Sequence, residues 1–168
     1  MLSDLHQKLI KAAAITHLKT GLTIASHTGP ALPAFEELAI LESEGVAASA
    51  FIWVHAQSES DHSTHVRAAK KGAWISLDGV SEENTKDYVA MISNLKANGL
   101  LDRVLVSHDA GWYTPGEPDG GSFRGYTALF TSLLPALKEA GYSEEELTQL
   151  LVHNPARAFE VRIRKADK

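Results

Sequence analysis

A parallel α/β fold is the architecture this chain predicts, and two observations predict it. Short apolar runs bounded by glycine, proline or polar residues recur along the sequence, which is how strands buried on both faces of a parallel sheet read. Stretches with apolar residues at helical spacing lie between them, and strands alternating with helices argue a parallel sheet with helical crossovers.

The elements follow in order. Ser3 to Thr20 places Leu5, Leu9, Ala12, Ala13 and Leu18 near helical spacing, with Ser3 as the cap and Gly21 where a helix ends. LTIASH, Leu22 to His27, is the first strand, closed by Thr28-Gly29-Pro30. A helix is expected from about Leu32 to Glu44, a strand over AFIWVH (Ala50 to His55), a helix from about Ser60 to Lys71, and a strand over AWISLD (Ala73 to Asp78). Ser81, followed by Glu82 and Glu83, has the hydroxyl and the negative charge that suit a helix start, and that helix should run to Asn98-Gly99. RVLVSHD, Arg103 to Asp109, is the fourth strand. The loop Ala110 to Ser122 is rich in glycine and proline, and a helix from about Tyr126 to Ala140 follows it. Ser143 and Glu146 have the spacing of a capping box, and Asn154-Pro155 reads as a cap with proline at the first helical position.

Composition excludes several classes of function. The 168 residues suit one domain and lie well below the roughly 250 of a complete eight-stranded α/β barrel. The net charge of -5 has no basic block behind it, so no nucleic-acid partner is implied. No segment approaches the ~18 uninterrupted apolar residues of a membrane span. With no cysteine, disulfides, thiolate nucleophiles and cysteine metal sites are out of reach. Met1 to Ile10 lacks the pattern of a signal peptide, so a cytoplasmic location is expected.

Ligands in parallel α/β folds bind at the carboxyl ends of the strands, and those ends here read His27, His55, Asp78 and Asp109. Imidazoles and carboxylates are the side chains that hold Zn²⁺ and similar divalent ions. Asp78 precedes Gly79 and is read as a turn residue outside the ligand set. His62 and His65 lie in polar surroundings and are read as a solvated helix start, while His6, His17 and His153 are assigned no chemistry. Strand alternation separates Val104, Val106 and His108 from Leu105, Ser107 and Asp109. The second set is read as facing the site, with His108 turned away.

The ordered set GLTIASHT, FIWVHAQSESD, AWISLDG, RVLVSHDAGW and HNPARAF resembles the C-terminal half of phosphotriesterase-like metal hydrolases of the amidohydrolase superfamily. The resemblance implies an incomplete (β/α)8, or TIM, barrel. Residues 1–168 would form its C-terminal half, with four strand-helix units standing for strands 5 to 8. Family members carry a two-metal centre, usually zinc, that activates a hydroxide to attack phosphotriesters, lactones or related esters. By motif, His27 and His55 resemble ligands of the more exposed metal. Asp109 resembles the ligand of the buried metal that also takes a proton during attack. Trp112, Tyr113 and Phe123, on the loop Ala110 to Arg124, would be apolar substrate contacts.

Departures from the family pattern accompany these matches. No H-x-H occurs in this sequence, the family's metal-bridging lysine has no counterpart, and Gly79 stands where some relatives have a histidine. Activity is therefore expected only when the barrel is completed, with at most a partial metal site in this chain. Three readings of the half-barrel stay open: a truncated enzyme, which is favoured, a partner for a complementary N-terminal half-barrel, or a homo-oligomer paired edge to edge. The alternative from another class is a non-catalytic half-barrel module that only pairs with another chain.

Overall fold

The sheet, in a computed structural model that describes residues 1–166, holds four strands in chain order, all parallel. They are β1 (Ile24–His27), β2 (Phe51–Val54), β3 (Trp74–Asp78) and β4 (Val104–Ser107). The helices between them are α1 (Asp4–Thr20) before β1, then α2 (Ala31–Ser43), α3 (His62–Lys70) and α4 (Thr85–Ala97). Consecutive strands being neighbours in a parallel sheet is the arrangement of successive βα units in a barrel wall.

Alternation along each strand divides the sheet's two faces. Phe51, Trp53, Ile75, Leu77 and Val104 point toward the helices and join Ala34, Leu38, Leu41, Ile92, Leu95, Leu133 and Leu137 in one core. Ile52, Trp74 and Leu105 point the other way and pack with Ala158 and Val54 in a small second cluster. One face is thus buried under helices, and the other is open above that cluster. Parallel sheets normally have both faces covered, and in a barrel the second face is the filled interior.

Most of the expected elements form, with differences at their ends. α1 starts as expected, with Ser3 Oγ accepting from the His6 N–H, and ends at Gly21, which is left-handed (φ 74°) and donates to His17 O at 2.7 Å. A side chain at Gly21 is excluded twice over, because a Cβ there would lie 2.7 Å from the backbone of Arg162. α2 has no side-chain cap of its own, and the Glu59 carboxylate from beyond β2 accepts from Ala31 N at 3.0 Å instead. Those backbone donors, from Asp61 and Ala31, hold the Glu59 carboxyl below its ordinary range.

α4 corrects one expectation. It begins at Thr85 rather than Ser81, because Asn84 Oδ1 accepts from Ser81 N at 2.9 Å and Asn84 Nδ2 donates to Gly79 O, closing a turn where the helix was expected to start. The helix after the long loop opens as a π-turn at Leu129–Leu133 and continues as α5 (Leu134–Glu139), so it starts later than Tyr126. The capping box forms at Ser143 and Glu146, opening α6 (Glu144–Thr148). The chain then stays helical through a π-turn at Gln149–His153 into α7 (Asn154–Ala158). Asn154 is therefore helical and not a cap. Its buried amide donates instead to Leu101 O at 2.8 Å and Val104 O at 2.7 Å, tying α7 to the start of β4.

His65 is also corrected. It is fully buried, stacks on His62, meets Trp53 edge to face, and has a ring nitrogen, Nε2, 2.7 Å from Ala56 O. The polar residues around it in sequence face outward, while its own face of α3 turns to the sheet. His17 takes a structural role, with Nδ1 donating to Leu22 O at 2.8 Å and Nε2 accepting from Arg164 N at 2.9 Å.

Candidate functional site

The carboxyl ends of the strands line one side of a cleft of about 400 Å³ on the open face of the sheet. His27, His55, Asp78 and Asp109 all border it, above a floor that includes Ile52, Val54 and Leu105. His27 reaches the cleft by strand parity with Ala25, and Asp109, two residues beyond the end of β4, borders it beside Leu105 and Ser107. His108 falls on the opposite side, where its Nε2 accepts from Leu129 N at 3.0 Å and its ring packs against Tyr126.

His55 reaches the cleft by a different route. Alternation after Phe51 and Trp53 would send it toward the helices. It adopts a left-handed conformation instead (φ 59°), which turns the side chain back to the open face. Asp109 is left-handed too (φ 43°), so two of the three non-glycine residues with positive φ among the described residues stand at this rim. Such backbone costs about 1–2 kcal/mol per residue and persists only where surrounding contacts fix it. At Asp109 those contacts are visible. The Arg124 guanidinium donates to Asp109 O at 2.7 Å, to His108 O at 2.9 Å and to Val80 O at 3.1 Å, and Trp112 Nε1 donates to Asp109 O at 3.0 Å.

Asp78 is the residue that sequence reasoning set aside and that the structure makes central. Its side chain is 6% exposed, against 19% for His55, and its carboxylate accepts from His55 Nδ1, from His55 N at 3.0 Å, from Ser76 Oγ at 2.7 Å and from Gln57 Nε2 at 3.0 Å. Gln57 closes the ring of contacts, bonding the Asp78 backbone through both ends of its amide. A turn aspartate would point its carboxylate at its own loop; this one bridges β3 and the end of β2. The signal was present in the sequence as a repeated pattern. Ser76 and Asp78 on β3 match Ser107 and Asp109 at the end of β4, and Asp78 pairs in register with Ser107.

The donor set fits part of a metal centre. With the Nδ1 proton directed to Asp78, His55 keeps a bare lone pair on Nε2, the form in which histidine ligates metals, with a carboxylate fixing the ring from behind. The His27 ring meets the His55 ring edge to face with centroids 4.2 Å apart, so the two imidazoles already converge. Asp109 borders the same cleft without joining them. Among the described residues no three histidine, cysteine or carboxylate side chains gather closely enough to hold an ion by themselves. Trp112, Tyr113 and Phe123 are exposed on the loop beyond Asp109 and do not line the cleft.

The chain is similar to known proteins in sequence and in fold. Residues 1–159 match the sequence pattern of the phosphotriesterase family. The chain is 28% identical over 162 residues to the phosphotriesterase homology protein of Escherichia coli, which covers 95% of this chain and 55% of that protein. It is 25% identical over 177 residues to an N-acetyltaurine hydrolase of Dictyostelium discoideum, covering 95% and 47% of the two chains. Its fold superposes on the crystal structure of a lactonase from Listeria monocytogenes with a TM-score of 0.85 and 28% identity, over 96% of this chain and 51% of that one. The chain thus spans about half the length of the relatives it matches.

Proposed function

The chain belongs to the phosphotriesterase family, and from that premise we propose that its strand-end cleft is one half of the active site of a metal-dependent hydrolase acting on esters, lactones or phosphotriesters. The observation that carries this reading is the imidazole pair of His27 and His55, with Asp78 fixing the tautomer of His55 behind it. A divalent ion, most readily zinc, suits these nitrogen donors and would supply Lewis-acid polarisation of the scissile carbonyl or phosphoryl group. His27 and His55 would be two of its ligands. Asp109, beyond the end of β4, would contribute its carboxylate to a second, more buried ion, and the remaining donors of both would come from a complementary half-barrel.

The remaining roles belong to this chain's own side chains. Asp109, exposed and bordering the cleft, would accept a proton from the attacking water. Asp78 and Gln57 hold the His55 ring in one orientation, so no reorganisation is needed when charge develops. Ile52, Val54 and Leu105 make an apolar floor, which would strengthen the polar contacts above it once a complementary half-barrel closes the cleft. Trp112, Tyr113 and Phe123 would touch the part of a substrate that extends beyond the cleft.

The test is to supply the chain with the first half of a relative's barrel, load it with zinc, and assay lactone, carboxylester and phosphotriester substrates. Hydrolysis that Asp109→Asn abolishes is expected; an assembly that binds zinc and turns over none of the three ester classes overturns the reading. A second reading, a non-catalytic module that pairs with another half-barrel or a second copy, is favoured by β1 and β4 each pairing along one edge only. Alanine at His27, His55 and Asp109 together leaves such an assembly intact in light scattering, and dissociates one that depends on the metal.

A further inference from the structure

A second cleft, of about 370 Å³, lies at the opposite end of the sheet, where the strands begin. Four arginines surround it: Arg103 before β4, Arg157 in α7, and Arg162 and Arg164 on the returning tail. In a chain of net charge -5 this concentration of positive charge is local, and not a reflection of overall composition.

Its carboxylates do not balance it. Asp102 serves both Arg103 (3.7 Å) and Arg157 (3.5 Å), and Glu160 is engaged by Arg162 at 3.2 Å. Arg164 is 6% exposed and donates only to neutral oxygens: Arg157 O at 2.9 Å, Glu160 O at 3.1 Å, Thr23 Oγ1 at 3.4 Å and Arg162 O at 3.5 Å. Among the described residues no carboxylate lies within ion-pair distance of it. Burial, and then repulsion from Arg162, push its pKa down from the ordinary value, against a smaller attraction from the Glu160 charge. A guanidinium cannot shed its charge in this range, and a buried charge whose hydrogen-bond partners are neutral oxygens is costly. The neighbouring guanidiniums of Arg157 and Arg162 are more than half exposed, each with one carboxylate contact, so they keep N–H groups free toward solvent. Planar forks of this kind match the oxygens of phosphate.

We infer that this cleft binds a small soluble phosphate-bearing anion, inorganic phosphate, pyrophosphate or a phosphate monoester, as a site separate from the strand-end cleft. The hydrolase reading plays no part in this inference. Arg164 forms the buried positive floor, Arg103 is fixed over Trp74 at 5.3 Å as one wall, and Arg157 and Arg162 close over the ligand from the exposed side.

The experiment is calorimetric titration of the chain, freed of metal on a chelating resin, with inorganic phosphate and with pyrophosphate. Binding of both is expected, tighter for pyrophosphate and weakened by added salt. The Arg157→Gln, Arg162→Gln double variant changes two exposed side chains, and should bind about tenfold more weakly, which is about 1.4 kcal/mol. His27→Ala with His55→Ala should bind as the parent does. A melting curve gives an independent reading, since pyrophosphate should raise the Tm of the parent and not that of the arginine variant. Absence of binding, binding indifferent to the arginine pair, or binding lost with the histidine pair would each overturn the inference.

Discussion

Asparagine at position 78 keeps the outline of the side chain and removes its charge, so it isolates what the Asp78 carboxylate holds together. In the folded chain that carboxylate accepts from two atoms of His55, from Ser76 and from Gln57, nearly out of contact with water. An amide offers one oxygen in place of two. Each carboxylate oxygen takes two donors, so whichever way the amide turns its NH2 group faces one donor of His55 and one of Gln57 or Ser76; at least one bond is lost and the rest become neutral. Hydrogen bonds to a charged group contribute about 1.5–3 kcal/mol and neutral ones about 0.5–1.5 kcal/mol, which gives an expected loss of about 2–4 kcal/mol for Asp78→Asn. Urea unfolding followed by circular dichroism near neutral pH measures it. The sharper measurement is a double-mutant cycle with His55→Asn, a residue that tolerates the left-handed backbone. A coupling of about 1 kcal/mol or more is expected between the two positions, whereas additivity within about 0.5 kcal/mol would refute the claim that Asp78 holds His55 in place.

Two further outcomes follow from buried or strained positions. His65 has its pKa lowered, first by burial, with repulsion from His62 adding to the shift while the Ala56 carbonyl and the charges of Glu59 and Asp61 oppose it. A depressed folded-state value means that the unfolded chain binds the extra proton first. Stability is therefore intact above the ordinary value of 6.5 and falls as pH drops below it, with a slope of at most about 1.4 kcal/mol per pH unit from this one group. His65→Gln, which keeps a donor for Ala56 O, should flatten that part of a stability-versus-pH curve, and an unchanged slope would assign the titration elsewhere. Gly21→Ala places a Cβ 2.7 Å from the Arg162 backbone in a left-handed residue, and should cost about 1–3 kcal/mol in urea unfolding. A loss below about 0.5 kcal/mol would show that the returning tail yields freely.

The β/α order could be read from the chain because each strand is a short apolar run and each crossover has helical spacing, two signals that local sequence carries by itself. Asp109 does border the cleft and His108 does pack away from it, as alternation suggested, but β4 ends at Ser107 and Asp109 is left-handed, so local backbone conformation and not parity alone sets the two directions. Asp78 was misread because Asp-Gly is a strong turn dipeptide, and the local rule said nothing of a histidine at position 55 waiting across the sheet. His65 was misread for the related reason that polar neighbours in sequence describe the outer face of a helix and not the inner one. Asn154 looked like a cap because Asn-Pro is a cap pattern, while its amide in fact satisfies two carbonyls at the start of β4.

By itself the sequence determined the parallel α/β order, the strand ends that carry His27, His55 and Asp109, and the family resemblance, because each depends on residue type and near-neighbour spacing. The tertiary structure alone decided that His55 turns back into the cleft and that Asp78 locks it there. It also decided that Arg103 joins three arginines of the C-terminal segment, Arg157, Arg162 and Arg164, beneath the strands. These are contacts between elements, set by register and backbone conformation, and no local pattern in the chain encodes the distance between β2 and β3 or the path of the tail.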